Sequence, residues 1–199
     1  MITTSNYKPW RVNGIRSFLT YNFLSENVIL AGGSLRTLID PEDAIQDFDL
    51  FFLGEEIAEI KDKVEKEILA NGGKKIFQCK EDELRSFRLH GMKIQLIALN
   101  NKKYNSVFEL LDSFDINASR VALQRKADGR LEISTHKEAI SDIRHKRVSI
   151  HRVTYAVATF KRICKFKEKG YSTTPAIKEF VNQVANSSAT MDLETVYVD

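Results

Sequence analysis

Several broad protein classes are excluded by what this chain lacks. Only two of its 199 residues are cysteine and only three are proline. Cys79 and Cys164 lie far apart, with no CxxC and no Cys/His spacing, so neither a disulfide framework nor a zinc site is expected, and both read as free, buried thiols. Nine glycines are too few for a collagenous or low-complexity chain. No apolar run approaches the roughly 18 residues a membrane span needs, and the first ten residues are polar, without the apolar segment of a signal peptide. A reduced, cytoplasmic protein with no membrane partner is expected. Net charge is only +3, so charge alone indicates neither nucleic acid nor an anionic surface.

What is present is an ordinary globular composition, 43% hydrophobic and 29% charged. The periodicity predicts a helix over residues 10–24 and a short buried strand over 27–31. A Gly-Gly-Ser turn with a short helix follows, then a strand over 48–53. An amphipathic helix over 55–70 carries Ile57, Ile60, Val64 and Ile68 on its packing face and alternating charges on a solvated one. Strands over 75–79, 84–89 and 92–99 form a meander. A short helix is expected over 107–111, an extended segment over 116–123, and a turn at residues 127–130. A basic helix over 152–169 has Val153, Val157, Phe160 and Cys164 on one face. A last helix opens with Thr174 as cap and Pro175 in its first turn. The expected fold class is α+β, a mixed sheet with helices on one face and a helical C-terminal extension. The expected division is a head over 1–150, an extension over 151–187 and a flexible tail over 188–199.

Chemistry concentrates in two neighbouring stretches. In the first, Gly32 and Gly33 let backbone amides approach a phosphate, Ser34 supplies a hydroxyl, and the start of a helix points its positive end at the same anion. In the second, Asp47 and Asp49 are two residues apart on a strand, so both leave one face while Phe48 points away. If the two strands pair, a phosphate turn and a carboxylate pair adjoin, and a divalent cation can bridge aspartate and triphosphate oxygens.

The Gly-Gly-x-x-Arg segment at Gly32, Gly33 and Arg36, followed by Asp-x-Asp at Asp47 and Asp49, resembles the signature of the nucleotidyltransferase superfamily related to DNA polymerase beta. Within it, the likeness is closest to the class II CCA-adding enzyme and poly(A) polymerase group. Phe114-Asp115-Ile116-Asn117-Ala118 is similar to that group's Arg-Arg-Asp-Phe-Thr-Ile-Asn-Ala segment near the nucleotide sugar. The resemblance implies transfer of a nucleotide from ATP or another triphosphate to an acceptor hydroxyl, with pyrophosphate leaving. Mg²⁺ or Mn²⁺ would be held by Asp47 and Asp49, the Gly32 and Gly33 amides and Ser34 would hold the phosphates, and Asp115 and Asn117 would lie near the nucleotide. Arg36 either neutralises triphosphate charge or is an exposed arginine pairing with Asp40 or Glu42.

The sequence also departs from that pattern. The family's third carboxylate has its counterpart in Gln95, a neutral metal ligand, for which Asp115 is a candidate substitute. Leu111-Asp112-Ser113 replaces the paired arginines and acid before Phe114. The Glu-Asp-x-x-Arg segment with which CCA-adding enzymes choose their base is not found, so CCA addition is not expected. A rival reading is therefore a protein of the same fold that binds nucleotide or RNA without turnover. A further rival is an interaction module docking an acidic partner.

Residues 120–169 hold fourteen lysines and arginines against five acids, an excess of nine positive charges, while the rest of the chain carries an excess of six negative ones. That asymmetry suits an RNA acceptor, a protein acceptor being the alternative, and is equally compatible with a solvated helix face. His90, His136, His145 and His151 have no metal spacing and read as surface histidines.

Overall fold

The computed structural model describes residues 2–4, 8–9, 12–98 and 103–188. Trp10, Leu99 and the expected tail from residue 189 onward lie outside the described residues. Ten strands occur in the described chain: β1 (Ile2–Thr4), β2 (Val28–Ala31), β3 (Phe48–Phe52), β4 (Lys74–Gln78), β5 (Leu84–Leu89), β6 (Met92–Ile97), β7 (Val121–Arg125), β8 (Leu131–Thr135), β9 (Arg147–Val148) and β10 (Ser172–Thr173). Six α-helices accompany them: α1 (Asn13–Leu19), α2 (Ile57–Ala70), α3 (Val107–Asp112), α4 (Lys137–Arg144), α5 (Ala156–Glu168) and α6 (Pro175–Ser188). Short 3₁₀ turns run over Gly33–Leu38 and Asn117–Ser119.

Eight strands form one sheet in the order β1-β8-β7-β2-β3-β6-β5-β4. Every neighbouring pair is antiparallel except β3 and β6, which run parallel because α2, β4 and β5 intervene between them. This is the mixed α+β architecture expected from the sequence. Strand alternation sorts the central strands into two faces. Val28, Leu30, Phe48, Leu50, Phe52, Ile94 and Leu96 join the main core with Ile15 and Phe18 of α1 and Val64 and Ile68 of α2. There the Phe18 and Phe48 rings stack with centroids 4.7 Å apart. Ile29, Ala31 and Ala122 face the other way and are covered by Val107, Leu110 and Leu111 of α3. Leu53 and Tyr104 belong to the same smaller cluster, and Phe51 and Phe114 pack against it.

The extension packs against the sheet. Ile163 and Phe166 of α5, Tyr171, and Ile177 of α6 belong to the same apolar cluster as the sheet. Thr174 caps α6 as expected, its hydroxyl accepting from the Ile177 amide at 3.4 Å. The expected face of α5 is corrected: Ala158, Thr159, Ile163 and Phe166 are the buried positions, Val153 precedes the helix and is 47% exposed.

The solvated face of α2 also needs correction. Lys61 is buried, and its ammonium donates to the Asp82 carboxylate at 2.7 Å. Arg85 on β5 ties Asp82 to Asp62 and Glu65 of α2. These cations, chiefly Arg85, hold the Asp82 carboxyl well below the usual carboxylate range. Both cysteines are free thiols and half-buried, less enclosed than expected. Among the described residues no helix is long and apolar enough to cross a membrane.

Candidate active site

The site begins with strand register. β2 pairs antiparallel with β3 so that Ala31 lies opposite Asp49, and β3 pairs parallel with β6 so that Asp49 lies opposite Gln95. The glycine turn and Asp49 therefore adjoin across neighbouring strands, as the sequence suggests, whereas Asp47 immediately precedes β3 and is not part of it. Gly32 follows Ala31 with φ +89°, a conformation that L side chains rarely adopt. A Cβ placed on Gly32 would come within 3.6 Å of Asp49 Oδ2 and 3.8 Å of the Phe114 ring. The space in front of the Asp49 carboxylate exists because residue 32 has no side chain.

Ser34 is 1% exposed, and its hydroxyl has no hydrogen-bond partner. An unsatisfied buried hydroxyl costs about 1–3 kcal/mol, so its retention two residues after Gly32 marks a place for a ligand oxygen. The expectation for Gly32 is corrected in part. Its amide donates to the Val121 carbonyl at 2.9 Å, which extends the β2–β7 ladder and removes it from the phosphate donors. Gly33 and Ser34 open the 3₁₀ turn, where N–H groups have no partner within the helix.

Arg36 is not the exposed arginine of the second expectation. It is 4% exposed, its Nε donates to Asp43 Oδ2 at 2.6 Å, and its guanidinium carbon lies 4.9 Å from the Phe166 ring centroid. Burial requires a carboxylate partner, and Asp43 supplies it. Asp40 and Glu42 instead meet Lys146, at 3.3 and 3.9 Å. Arg36 thus fastens the glycine turn to α5 from beneath.

Asp115 is engaged elsewhere than at a metal. Its Oδ2 accepts from Thr159 Oγ1 at 2.8 Å and Arg162 Nη1 at 2.7 Å, both on α5. Asn117 donates to Ser149 Oγ at 2.8 Å and accepts from Arg120 Nη1 at 3.0 Å. Arg120, counted above among the basic residues, is 3% exposed and also binds Asp112, the Leu111 carbonyl and His136 Nε2. The surface reading of His136 is therefore corrected. Arginine has no acceptor, so His136 Nε2, 2.8 Å from Arg120, accepts and the ring is neutral. Its 3.3 Å approach to Asp112 is consequently not an ion pair. Burial, with Arg120 assisting, pulls the His136 pKa below its ordinary value, and the same causes act on His151.

Two residues of the site have no place in the motifs. Lys93 on β6 has its Nζ 3.6 Å from Asp47 Oδ2, just before β3 begins. The period of two that places Gln95 on the carboxylate face also places Lys93 there, so the strand pattern carries that signal. Ser86 on β5 lies opposite Gln95, with Gln95 Nε2 3.4 Å from Ser86 Oγ. A cleft of about 480 Å³ lined by Tyr21, Gln46, His90 and Lys93, among others, includes neither aspartate.

The donor set fits a hard divalent cation that keeps several waters: two carboxylates and a neutral amide, all oxygen donors. Among the described residues no group of three His, Cys, Asp or Glu side chains could hold a metal by itself. With Lys93 beside Asp47, the protein supplies little net negative charge, which suits a cation held jointly with phosphates.

The fold is that of nucleotidyltransferases. A CCA-adding enzyme solved with ATP aligns with a TM-score of 0.70 at 15% identity, covering 95% of this chain and 48% of that one. A Thermotoga maritima CCA-adding enzyme complexed with tRNA aligns with a TM-score of 0.64 at 15% identity, covering 94% and 46%. A tRNA nucleotidyltransferase complexed with a primer tRNA and an incoming ATP analog aligns with a TM-score of 0.57 at 16% identity, covering 89% and 50%. The chain thus spans about half the length of these structures. No curated protein matches it. The model of the Gabija anti-defense 2 family matches residues 11–146, about two thirds of the sequence, and the chain belongs to that family.

Proposed function

We propose that this chain is a metal-dependent nucleotidyltransferase that moves a nucleotide from ATP or another triphosphate to a hydroxyl of an RNA or protein acceptor. The observation that carries this reading is the juxtaposition of Asp49 with a side-chain-free Gly32 and the unpartnered hydroxyl of Ser34. Ser34 Oγ and the Gly33 amide donate to the phosphates. Asp47, Asp49 and Gln95 hold Mg²⁺ or Mn²⁺, which when bound polarises the phosphoryl oxygens and lowers the acceptor hydroxyl's pKa. The acceptor oxygen forms a bond to the α-phosphorus while the bond to the bridging oxygen breaks. Pyrophosphate leaves with the electron pair, and a carboxylate of the pair takes the acceptor's proton. Lys93 offsets one carboxylate charge and keeps Asp47 turned toward the site.

The family description is that of an anti-defense protein directed at Gabija, so components of that system are the acceptors to try first. An RNA acceptor draws less support from charge than the sequence suggests. Of the fourteen basic residues, Arg120, Lys126, Arg130, Lys146, Arg147 and Arg162 are paired with acids of the chain.

Gln95 favours a second reading, in which nucleotide is bound without turnover, because a neutral amide beside Asp49 weakens metal binding relative to a third carboxylate. Incubation with each α-labelled triphosphate, Mg²⁺ or Mn²⁺, and RNA or Gabija protein separates the two. Label transfer with pyrophosphate release, lost in Asp47→Asn and Asp49→Asn, supports the transferase. Tight triphosphate binding without transfer to any acceptor supports the second reading.

A further inference from the structure

We infer that Lys169, just past the C-terminal end of α5, is a phosphate-binding residue of the nucleotide site, so that the helical extension completes the site. This rests on the proposed nucleotide-binding reading. A triphosphate carries several negative charges and needs cations that are free to meet them. Two cations of the site are already engaged. Arg36 is buried against Asp43 and Phe166, and Lys93 faces Asp47.

Lys169 is held beside the same turn by its neighbours on both sides. Three residues earlier, the Phe166 ring lies under the Arg36 guanidinium, and two residues later the Tyr171 hydroxyl comes within 3.5 Å of Asp43 Oδ2. The two rings meet edge to face at 4.9 Å. The Lys169 amide donates to the Lys165 and Phe166 carbonyls, and Gly170, with φ +81°, turns the chain directly afterwards. The backbone at Lys169 is therefore fixed.

The Lys169 side chain is half-buried yet makes no ion pair among the described residues. A partly desolvated ammonium without a carboxylate is unfavourable unless an anion arrives. The charges of Arg36, Asp43 and Asp47 act on it. Burial, reinforced by Arg36 and opposed by the two aspartates, pulls its pKa below the usual lysine value. The orphaned Ser34 hydroxyl on the same turn is an independent sign that an oxygen-rich ligand belongs there.

The test compares binding of a non-hydrolysable ATP analogue and of AMP, each with Mg²⁺, to the wild type, Lys169→Met, Lys169→Arg and Lys167→Met. Lys167 is exposed on the same helix. The expected result is a loss of about tenfold or more in triphosphate affinity for Lys169→Met, as for a charge-assisted hydrogen bond. AMP affinity stays within about twofold of wild type, Lys169→Arg recovers most of the loss, and Lys167→Met changes nothing. Unchanged triphosphate affinity in Lys169→Met overturns the inference and leaves the proposed function standing. An equal loss for both nucleotides with a lowered melting temperature also overturns it, since the lysine is then structural. A wild type that binds no triphosphate with Mg²⁺ or Mn²⁺ overturns the proposed function, and the inference with it.

Discussion

Around the glycine turn, a buried serine hydroxyl has no partner and Asp47 meets its lysine only at 3.6 Å, beyond hydrogen-bond distance. Around Asp115, Asn117 and Arg120, each buried polar head is taken up by another part of the chain. Both clusters come from segments that the sequence marks as nucleotide-binding. Their difference teaches that a motif's polar residues act on a ligand only where the fold leaves them unsatisfied. Where α4 and α5 close over them, the same residue types become joints between helix and sheet.

The largest effects come from breaking that comparison on its open side. Asp49→Asn keeps the shape of the carboxylate and removes its charge. Nucleotide transfer is expected to fall by about a thousandfold, the order seen when one group stabilising transition-state charge is lost. The melting temperature stays within about 2 °C, because asparagine keeps the side chain's size and shape and one accepting oxygen. A variant that unfolds instead would show Asp49 to be structural and erase the difference between the clusters.

On the closed side, Asp115→Ala removes the acceptor shared by Thr159 and Arg162. A destabilisation of about 3 kcal/mol is expected in urea titration, since a partly buried guanidinium and a buried hydroxyl lose their partner together. The double variant Asp115→Ala with Arg162→Met recovers part of that loss. A double-mutant cycle giving no coupling between the two positions would show that α5 is held by apolar packing alone.

The legible parts of this molecule are those written in local periodicity. β2, the glycine turn and β3 follow from apolar runs, a Gly-Gly-Ser break and the alternation of Asp47, Phe48 and Asp49. Their pairing puts Ala31 opposite Asp49 as expected. The strands from β4 to β6 and the Thr174 cap were legible for the same reason. Arg36 with Asp43 is local in sequence, but its burial depends on Phe166, about 130 residues away, and no periodicity encodes that contact. The Asp115–Arg162 pair and the position of Lys169 depend likewise on where α5 docks. β1 pairs with β8 across nearly the whole head, and its three residues are too few to show a pattern. Lys93 is the one site residue that strand alternation places on the carboxylate face without any motif.

The closed cluster also makes a pH prediction. His136 is neutral in the fold because Arg120 donates to it, and burial holds its pKa below the ordinary value of 6.5. The unfolded chain therefore binds the proton more readily than the folded one, and stability rises with pH over that interval. As pH falls below about 6.5 the fold loses stability, and the loss is complete once pH passes below the folded-state pKa. His151 acts in the same direction, and the depressed Asp82 adds its loss at lower pH. Melting curves from pH 7.5 to 5 should decline less steeply for His136→Gln than for the wild type. Parallel curves would mean that the imidazole is protonated in the fold and that Arg120 does not donate to it.

Ser34→Ala gives the smallest effect and draws the sharpest line between the clusters. In the closed region, deleting a buried hydroxyl such as Thr159 breaks a hydrogen bond and destabilises by about 1 kcal/mol. At Ser34 no such bond exists, so alanine removes an unsatisfied oxygen, and the melting temperature should hold or rise slightly. The cost appears only with ligand: triphosphate affinity drops by about threefold to tenfold, the net worth of one ordinary hydrogen bond. Calorimetry of the two variants, with and without a triphosphate analogue, reads both sides. A Ser34→Ala protein that loses stability without ligand, or binds triphosphate as the wild type does, would mean that the hydroxyl is satisfied within the chain, and the glycine turn would then be as closed as the Asp115 joint.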